Sequence, residues 1–181
     1  MRLVMGWMLC GVVLALGATT KVSSAAEHQL TGDNTKIEFV GTKKDGKHSG
    51  SFPKLTGTFE ISEDAAKNRI TVNIETDGLE SDDAKLTGHL KSPDFFEVKK
   101  FPEAKFVSTG IKAEKEGFTV TGDLTLRGKT KSIKFPAKIE NKNGTATLNA
   151  DFKIKRSDWG MTYGAGMIDD DVKLTVSVKA K

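Results

Sequence analysis

From Lys36 onward, apolar side chains recur at every second position in one short run after another, the period of a strand with one face buried and one face in water. Eight such runs can be read. Ile37 and Phe39 mark the first; Leu55, Gly57, Phe59 and Ile61 the second; Ile70, Val72 and Ile74 the third. Ala104, Phe106 and Ser108 make the fourth, and Phe118, Val120, Leu124 and Leu126 the fifth. Ile133, Phe135, Ala137 and Ile139 form the sixth, Ala146, Leu148, Ala150, Phe152 and Ile154 the seventh, and Val172, Leu174, Val176 and Val178 the eighth. Turn-forming residues separate most of them, as in Arg127-Gly128-Lys129-Thr130 and Asn141-Lys142-Asn143-Gly144. Links this short join antiparallel neighbours, because a parallel crossover needs about a dozen residues. Gly128 is expected to supply a positive φ in its hairpin.

Two links are longer. Residues 63–67 have the length of a single helical turn, and residues 81–91 read as a short helix. Ser81 is its expected N-cap, Asp82 and Asp83 complement its dipole, and Pro93 lies beyond its end. Arg156 and Asp158 flank a bend after the seventh run, where a paired, partly buried arginine would anchor the corner. Eight one-sided strands must hide one face and satisfy two edges, and closing the sheet on itself does both. The interior of an eight-stranded barrel is filled by side chains or holds one small ligand. A two-sheet sandwich carries a similar period, so periodicity alone leaves barrel and sandwich open.

The start of the chain breaks this pattern. Met1 and Arg2 precede sixteen uncharged, largely apolar residues, 3–18, and then the small-residue stretch Val22-Ser23-Ser24-Ala25-Ala26. That is the order of a secretory signal peptide, expected at residues 1–26 with cleavage after Ala26 or, alternatively, Ala25. A spanning helix needs about 20 apolar residues, which this run does not reach. Removing 26 of 181 residues leaves 155, enough for one ordinary core. The only cysteine, Cys10, leaves with the signal, so disulfides, thiolate metal sites and a cysteine nucleophile are excluded together. Arg2 and Lys21 leave too, and the net charge falls from +4 to +2. The remaining lysines are interspersed with acidic residues, which speaks for a solvated surface and against nucleic acid as a partner.

Four stretches carry more specific information. They are Ser92-Pro93-Asp94-Phe95-Phe96, then Phe101-Pro102-Glu103-Ala104-Lys105-Phe106-Val107-Ser108-Thr109, then Gly122-Asp123-Leu124-Thr125-Leu126-Arg127-Gly128-Lys129-Thr130-Lys131, and Arg156-Ser157-Asp158-Trp159-Gly160-Met161. In this order and spacing the chain resembles the YceI-like family, lipid- or polyisoprenoid-binding barrels of lipocalin-like shape, from about residue 36 to residue 179. The resemblance implies an all-β fold: an eight-stranded antiparallel lipocalin-like β-barrel with one short helix, occupying residues 27–181 after a signal peptide. There are departures. The first strand reads Lys36-Ile37-Glu38-Phe39-Val40-Gly41, with His48-Ser49 only later, and Leu86-Thr87-Gly88 precedes His89-Leu90 where the family has Arg-Asp. Both fall where a ligand-facing mouth or lid would be.

What the resemblance implies about function is a periplasmic or secreted protein that sequesters or carries a polyisoprenoid, an isoprenoid quinone or a similar long-chain amphiphile in the barrel interior. The residues add an aromatic supply, nine of ten phenylalanines lying from Phe52 onward. Strand parity puts Phe39, Phe59, Val72, Ile74, Phe106, Leu124, Phe135, Leu148 and Phe152 on one inward face. Phe95 and Phe96 follow the helix, where they would close one end, and Trp159 and Met161 sit at the bend. These thirteen are the candidate cavity residues. The competing reading is that they fill the barrel, and that the chain is a structural, interaction or stress-response module of the cell envelope. Neither reading makes it an enzyme. His28, His48 and His89 fall near the cleaved end, in a Gly/Ser-rich loop and on the short helix, without the spacing of a metal site or a base beside a nucleophile. Asp169-Asp170-Asp171 read as solvated charges. No catalytic residue, metal ligand or cofactor is expected; the expected partners are an apolar-tailed small molecule and, transiently, a membrane surface.

Overall fold

The computed structural model describes residues 25–181, so the expected signal segment lies outside the described residues apart from Ala25 and Ala26. All eight predicted runs are strands, and three further strands join them. In chain order they are β1 (Ala26–Thr31), β2 (Thr35–Lys43), β3 (Gly46–Ser51), β4 (Leu55–Ile61), β5 (Arg69–Glu75), β6 (Glu80–Ser81), the helix α1 (Ala84–Leu90), β7 (Glu103–Glu114), β8 (Gly117–Leu126), β9 (Lys129–Lys142), β10 (Thr145–Lys155) and β11 (Ile168–Ala180). The expected eight-stranded barrel is therefore corrected to one with eleven strands among the described residues. They form a single sheet in the order β1-β4-β5-β7-β8-β9-β10-β11-β2-β3-β6, every pair antiparallel.

The sheet curls into a barrel through its first hairpin. β1 pairs with β4, Ala26 opposite Ile61, and β2 pairs with β3, Lys43 opposite Gly46. Residues 26–61 are thus one long hairpin whose two arms are both interrupted, one at residues 32–34 and the other at residues 52–54. At that break Gly32 meets Pro53 so closely that a Cβ would stand 2.0 Å from the proline carbonyl oxygen. The Phe52 N–H donates to the Ile37 carbonyl (3.0 Å) and the Lys179 N–H to the Asn34 carbonyl (2.8 Å), which stitch the bend to its neighbours. On one side of it β2 bonds to β11; on the other β4 bonds to β5. One bent hairpin therefore joins both ends of the run from β5 to β11.

The three unforeseen strands carry little alternation. β1 has Leu30 and a buried His28 as its inward pair, and β3 (Gly46-Lys47-His48-Ser49-Gly50-Ser51) has no hydrophobic residue at all. β3 is tolerated on the barrel because its neighbour supplies the apolar cover. Phe39 stands opposite Gly50, its ring so close that a Cβ there would lie 2.3 Å from it. β6 is two residues long and pairs Ser81 with Gly50. Held in that strand, Ser81 is too early to cap α1; the cap is Asp83, whose carboxylate accepts the Leu86 N–H at 2.7 Å. The helix is correspondingly shorter than 81–91. The 63–67 link does contain one helical turn, Ala65–Lys67, capped by Asp64.

Parity along the long strands follows the sequence. Leu148 faces Val178, Ala150 faces Val176 and Phe152 faces Leu174 across β10 and β11, so one face of the sheet carries the apolar set. On β7 a bulge between Ser108 and Gly110 resets the parity and turns Ile111 inward. Just before it, the buried Ser108 hydroxyl accepts the Ile70 N–H at 2.8 Å, beyond the last backbone pair of β5 with β7. In the β8–β9 hairpin both Arg127 (φ 48°) and Gly128 (φ 69°) have positive φ. Across β7 and β8 the Phe106 ring lies over Gly122, where a Cβ would come within 2.5 Å of it. Gly122→Ala is therefore expected to push Phe106 off its rotamer and cost about 1–3 kcal/mol. Gly110→Ala, which meets nothing within 4 Å, should stay within about 0.5 kcal/mol of the parent; denaturant unfolding of the two variants checks the difference.

Candidate functional site

The inward faces do not meet. They enclose a cavity of about 310 Å³ lined by residues of every strand except β6, and by Leu86 and Leu90 of α1. Twelve of the thirteen candidate residues stand on its wall: Phe39, Phe59, Val72, Ile74, Phe95, Phe96, Phe106, Leu124, Phe135, Leu148, Phe152 and Met161. Trp159 does not. It is buried outside the lining, with its indole N–H donating to the Leu124 carbonyl at 3.1 Å, so its role is to hold the corner after β10 against β8. Other lining residues, such as Ile70, Leu126, Ile133, Ile154 and Leu174, belong to the same alternating runs and follow from the same parity. Phe52, in the break of the long hairpin, belongs to no run.

Aromatic rings form two rows on this wall. Phe106, Phe135 and Phe152 are linked at centroid distances of 5.7 Å and 4.2 Å, the second pair stacked 9° from parallel. Phe39, Phe52 and Phe96 are linked at 5.6 Å and 5.5 Å. Such contacts each contribute about 0.5–1.5 kcal/mol beyond burial, and they hold the rings against the sheet. Phe95 and Phe96 bring the segment after α1 onto the barrel, as expected of residues closing an end. Arg127 fixes that segment: it donates to the Pro93 carbonyl (3.1 Å), the Gly160 carbonyl (2.7 Å) and the Glu97 carboxylate (3.2 Å).

Polar groups enter the lining as a small set: Thr35, Thr42, Lys43, His48, Arg156 and Asp169. A more polar depression adjoins them, sharing Arg156, Met161, Ile168 and Asp169 with the cavity wall and adding Ser157, Thr162 and Asp170. Arg156, at the bend after β10, is buried. Its guanidinium donates to four carbonyls, those of Met161 (2.7 Å), Tyr163 (2.8 Å), Asp169 (3.0 Å) and Ile168 (3.1 Å). Backbone oxygens of residues 161–169 thus solvate the buried charge, and the charge in turn fixes that segment, including the start of β11, beside the polar part of the cavity wall. The three aspartates that follow part company along β11. Asp169 accepts from the Thr42 hydroxyl, Asp170 from the Ser157 hydroxyl (2.7 Å) and N–H (2.9 Å), and Asp171 pairs with Lys153 (3.7 Å).

His48 is expected in a loop; the structure places it on β3, in the cavity wall. Its Nδ1 lies 3.0 Å from Asp82 Oδ1, while Asp82 Oδ2 accepts the Ser49 N–H (2.8 Å) and hydroxyl (3.2 Å). Asp45-Gly46, a hairpin dipeptide directly ahead of it, was the available signal. His89 lies outside the cavity lining, held by Asp94 (2.9 Å) and packed edge-on against Phe95 and Tyr163.

A family model for the YceI-like domain matches residues 28–180, the whole of this barrel. The chain belongs to the YceI-like family. A UPF0312 protein of Serratia proteamaculans is 33% identical to it over 181 residues, covering 96% of this chain and 92% of the relative. Among solved structures, Burkholderia cenocepacia BcnA is similar over 81% of this chain and 96% of its own, with a TM-score of 0.76 at 24% identity. A polyisoprenoid binding domain from Saccharophagus degradans shares the fold at 15% identity, with a TM-score of 0.67 over 87% of this chain and 98% of that one. This YceI-like barrel thus has the architecture that its four sequence stretches implied.

Two carboxylates, Asp82 beside His48 and Asp170 in the adjoining polar depression, are held below the usual carboxylate range. For Asp82 the main cause is the Ser49 N–H, followed by the His48 ring; for Asp170 it is the Ser157 hydroxyl, then the Ser157 N–H. A depressed folded value adds stability above the unfolded value, near pH 4, that is lost as pH falls through the folded one. Asp170→Asn is accordingly expected to melt below the parent at pH 7 and to converge with it as pH falls below the usual carboxylate range, as melting curves recorded from neutral to acid pH would show.

Proposed function

We propose that this protein is an exported, non-enzymatic carrier that holds one long-chain apolar-tailed amphiphile, a polyisoprenoid or isoprenoid quinone, inside the barrel. The observation that carries this reading is the cavity of about 310 Å³ walled by aromatic and aliphatic side chains, with its few polar residues collected together. Sites for small apolar ligands have this make-up. Each methylene moved from water onto such a wall contributes about 0.8 kcal/mol, so several isoprene units offset the ordering cost of binding. A barrel serving only as a structural module has no need to leave this volume unfilled. The Saccharophagus relative in fold is described as a polyisoprenoid binding domain, which agrees with the reading.

Delivery of such a ligand takes place at a membrane surface after export to the periplasm or beyond. Tyr163 and Met167 on the mouth loop are exposed, 47% and 71%, and the Lys43 end of β2 pairs with Ile168 beside them. An apolar tip flanked by lysine suits brief contact with anionic headgroups. No cofactor takes part, since the protein's work is to desolvate a tail and release it.

If the tail occupies the interior, Phe106→Trp should displace it, at an overpacking cost of roughly 1 to 3 kcal/mol that leaves the barrel folded. Lys142→Glu, on the exposed end of β9, should leave it in place. Extraction of lipid from both variants, each folded by circular dichroism, checks this; equal lipid in the two would exclude the barrel interior as the binding site.

A further inference from the structure

We infer that His48 and Asp82 form a headgroup site that accepts a hydrogen bond from a neutral hydroxyl, so that the preferred ligand is a long-chain alcohol or phenol. The inference rests on the carrier reading and adds what the ligand's polar end must be. A carboxylate can only accept. Asp82 Oδ1 faces His48 Nδ1 at 3.0 Å, and Oδ2 is committed to Ser49. In the neutral tautomer that this contact selects, the ring proton is on Nδ1 and Nε2 carries a lone pair. Among the described residues Nε2 has no hydrogen-bond partner, and the His48 side chain is part of the cavity wall. The Ser49 N–H and hydroxyl in turn hold the Asp82 carboxylate beside the ring.

Space and charge agree. Directly opposite His48 across the hairpin is Gly41, also on the cavity wall, where a Cβ would meet nothing within 4 Å. The gap leaves room for a headgroup beside the imidazole. The charges around it balance, Lys43 and Arg156 against Asp169 and Asp82, and Arg156 is already occupied by four carbonyls. Nothing there favours a phosphate or carboxylate over a neutral group. An ether, ester or ketone cannot donate to Nε2; a hydroxyl can.

The test uses three C20 isoprenoid probes: geranylgeraniol, its methyl ether and its diphosphate, titrated into the native protein, His48→Phe and Asp82→Asn. Native protein is expected to bind the alcohol about three- to tenfold tighter than the ether, the worth of one neutral hydrogen bond, and the diphosphate no tighter than the alcohol. In His48→Phe the alcohol-to-ether ratio should fall to about one, with the ether's affinity retained. In Asp82→Asn the amide can donate to Nδ1, freeing the ring to carry its proton on Nε2, and the ratio should shrink while both probes still bind. Equal binding of alcohol and ether by the native protein, or an unchanged ratio in His48→Phe, overturns the headgroup site and leaves the carrier reading standing; so does a diphosphate that binds tightest. Failure of all three probes to bind overturns the carrier reading and this inference with it.

Discussion

A single sheet with one apolar face has no second layer to pack against, and the rest of this structure follows from that constraint. The solution is the long bent hairpin of residues 26–61, whose β2 end bonds to β11 and whose β4 arm bonds to β5. Its break depends on small things: the contact of Gly32 with the Pro53 carbonyl, and the backbone bonds of Phe52 and Lys179. With both ends of the run from β5 to β11 joined by this hairpin, apolar residues on every long strand face a common interior, which removes them from water without removing all the space between them.

That space persists because the bulky side chains lean on the sheet rather than on one another across it. Phe106 lies over Gly122 and Phe39 over Gly50, while Phe135 and Phe152 stack. An aromatic ring laid on a glycine buries its area against backbone and leaves the centre open. The polar members of the wall are fixed with comparable care. Arg156 draws four loop carbonyls around itself, and Asp82 clamps both His48 and the Ser49 N–H. The result is an apolar interior whose polar contacts are few and oriented.

Much of this was legible in the sequence, for a physical reason. Period-two alternation is imposed wherever one face of a strand is buried, so Leu148, Ala150 and Phe152 on β10, or Val172 to Val178 on β11, announce both the strand and its inward face. The parity that identified the runs also identified most of the cavity wall. β3 was illegible because its interior face is covered by Phe39 from the neighbouring strand, which leaves β3 free to be polar, and His48 was lost with it. Trp159 was misplaced for a related reason: a large apolar residue at a bend has no parity, and its indole N–H found a backbone carbonyl instead of the cavity. Ser81 was misread as a cap because its pairing with Gly50 in β6 is a long-range contact that local capping rules do not register.

The central claim is that the interior is a ligand compartment and not a core. Native mass spectrometry of the protein purified without detergent from its own cell envelope, followed by organic extraction of the same sample, tests it most directly. The expected result is a mass above that of the polypeptide, carried by a single long-chain amphiphile that the solvent releases. A protein of bare polypeptide mass, from cells rich in such lipids and with nothing extracted, would contradict it.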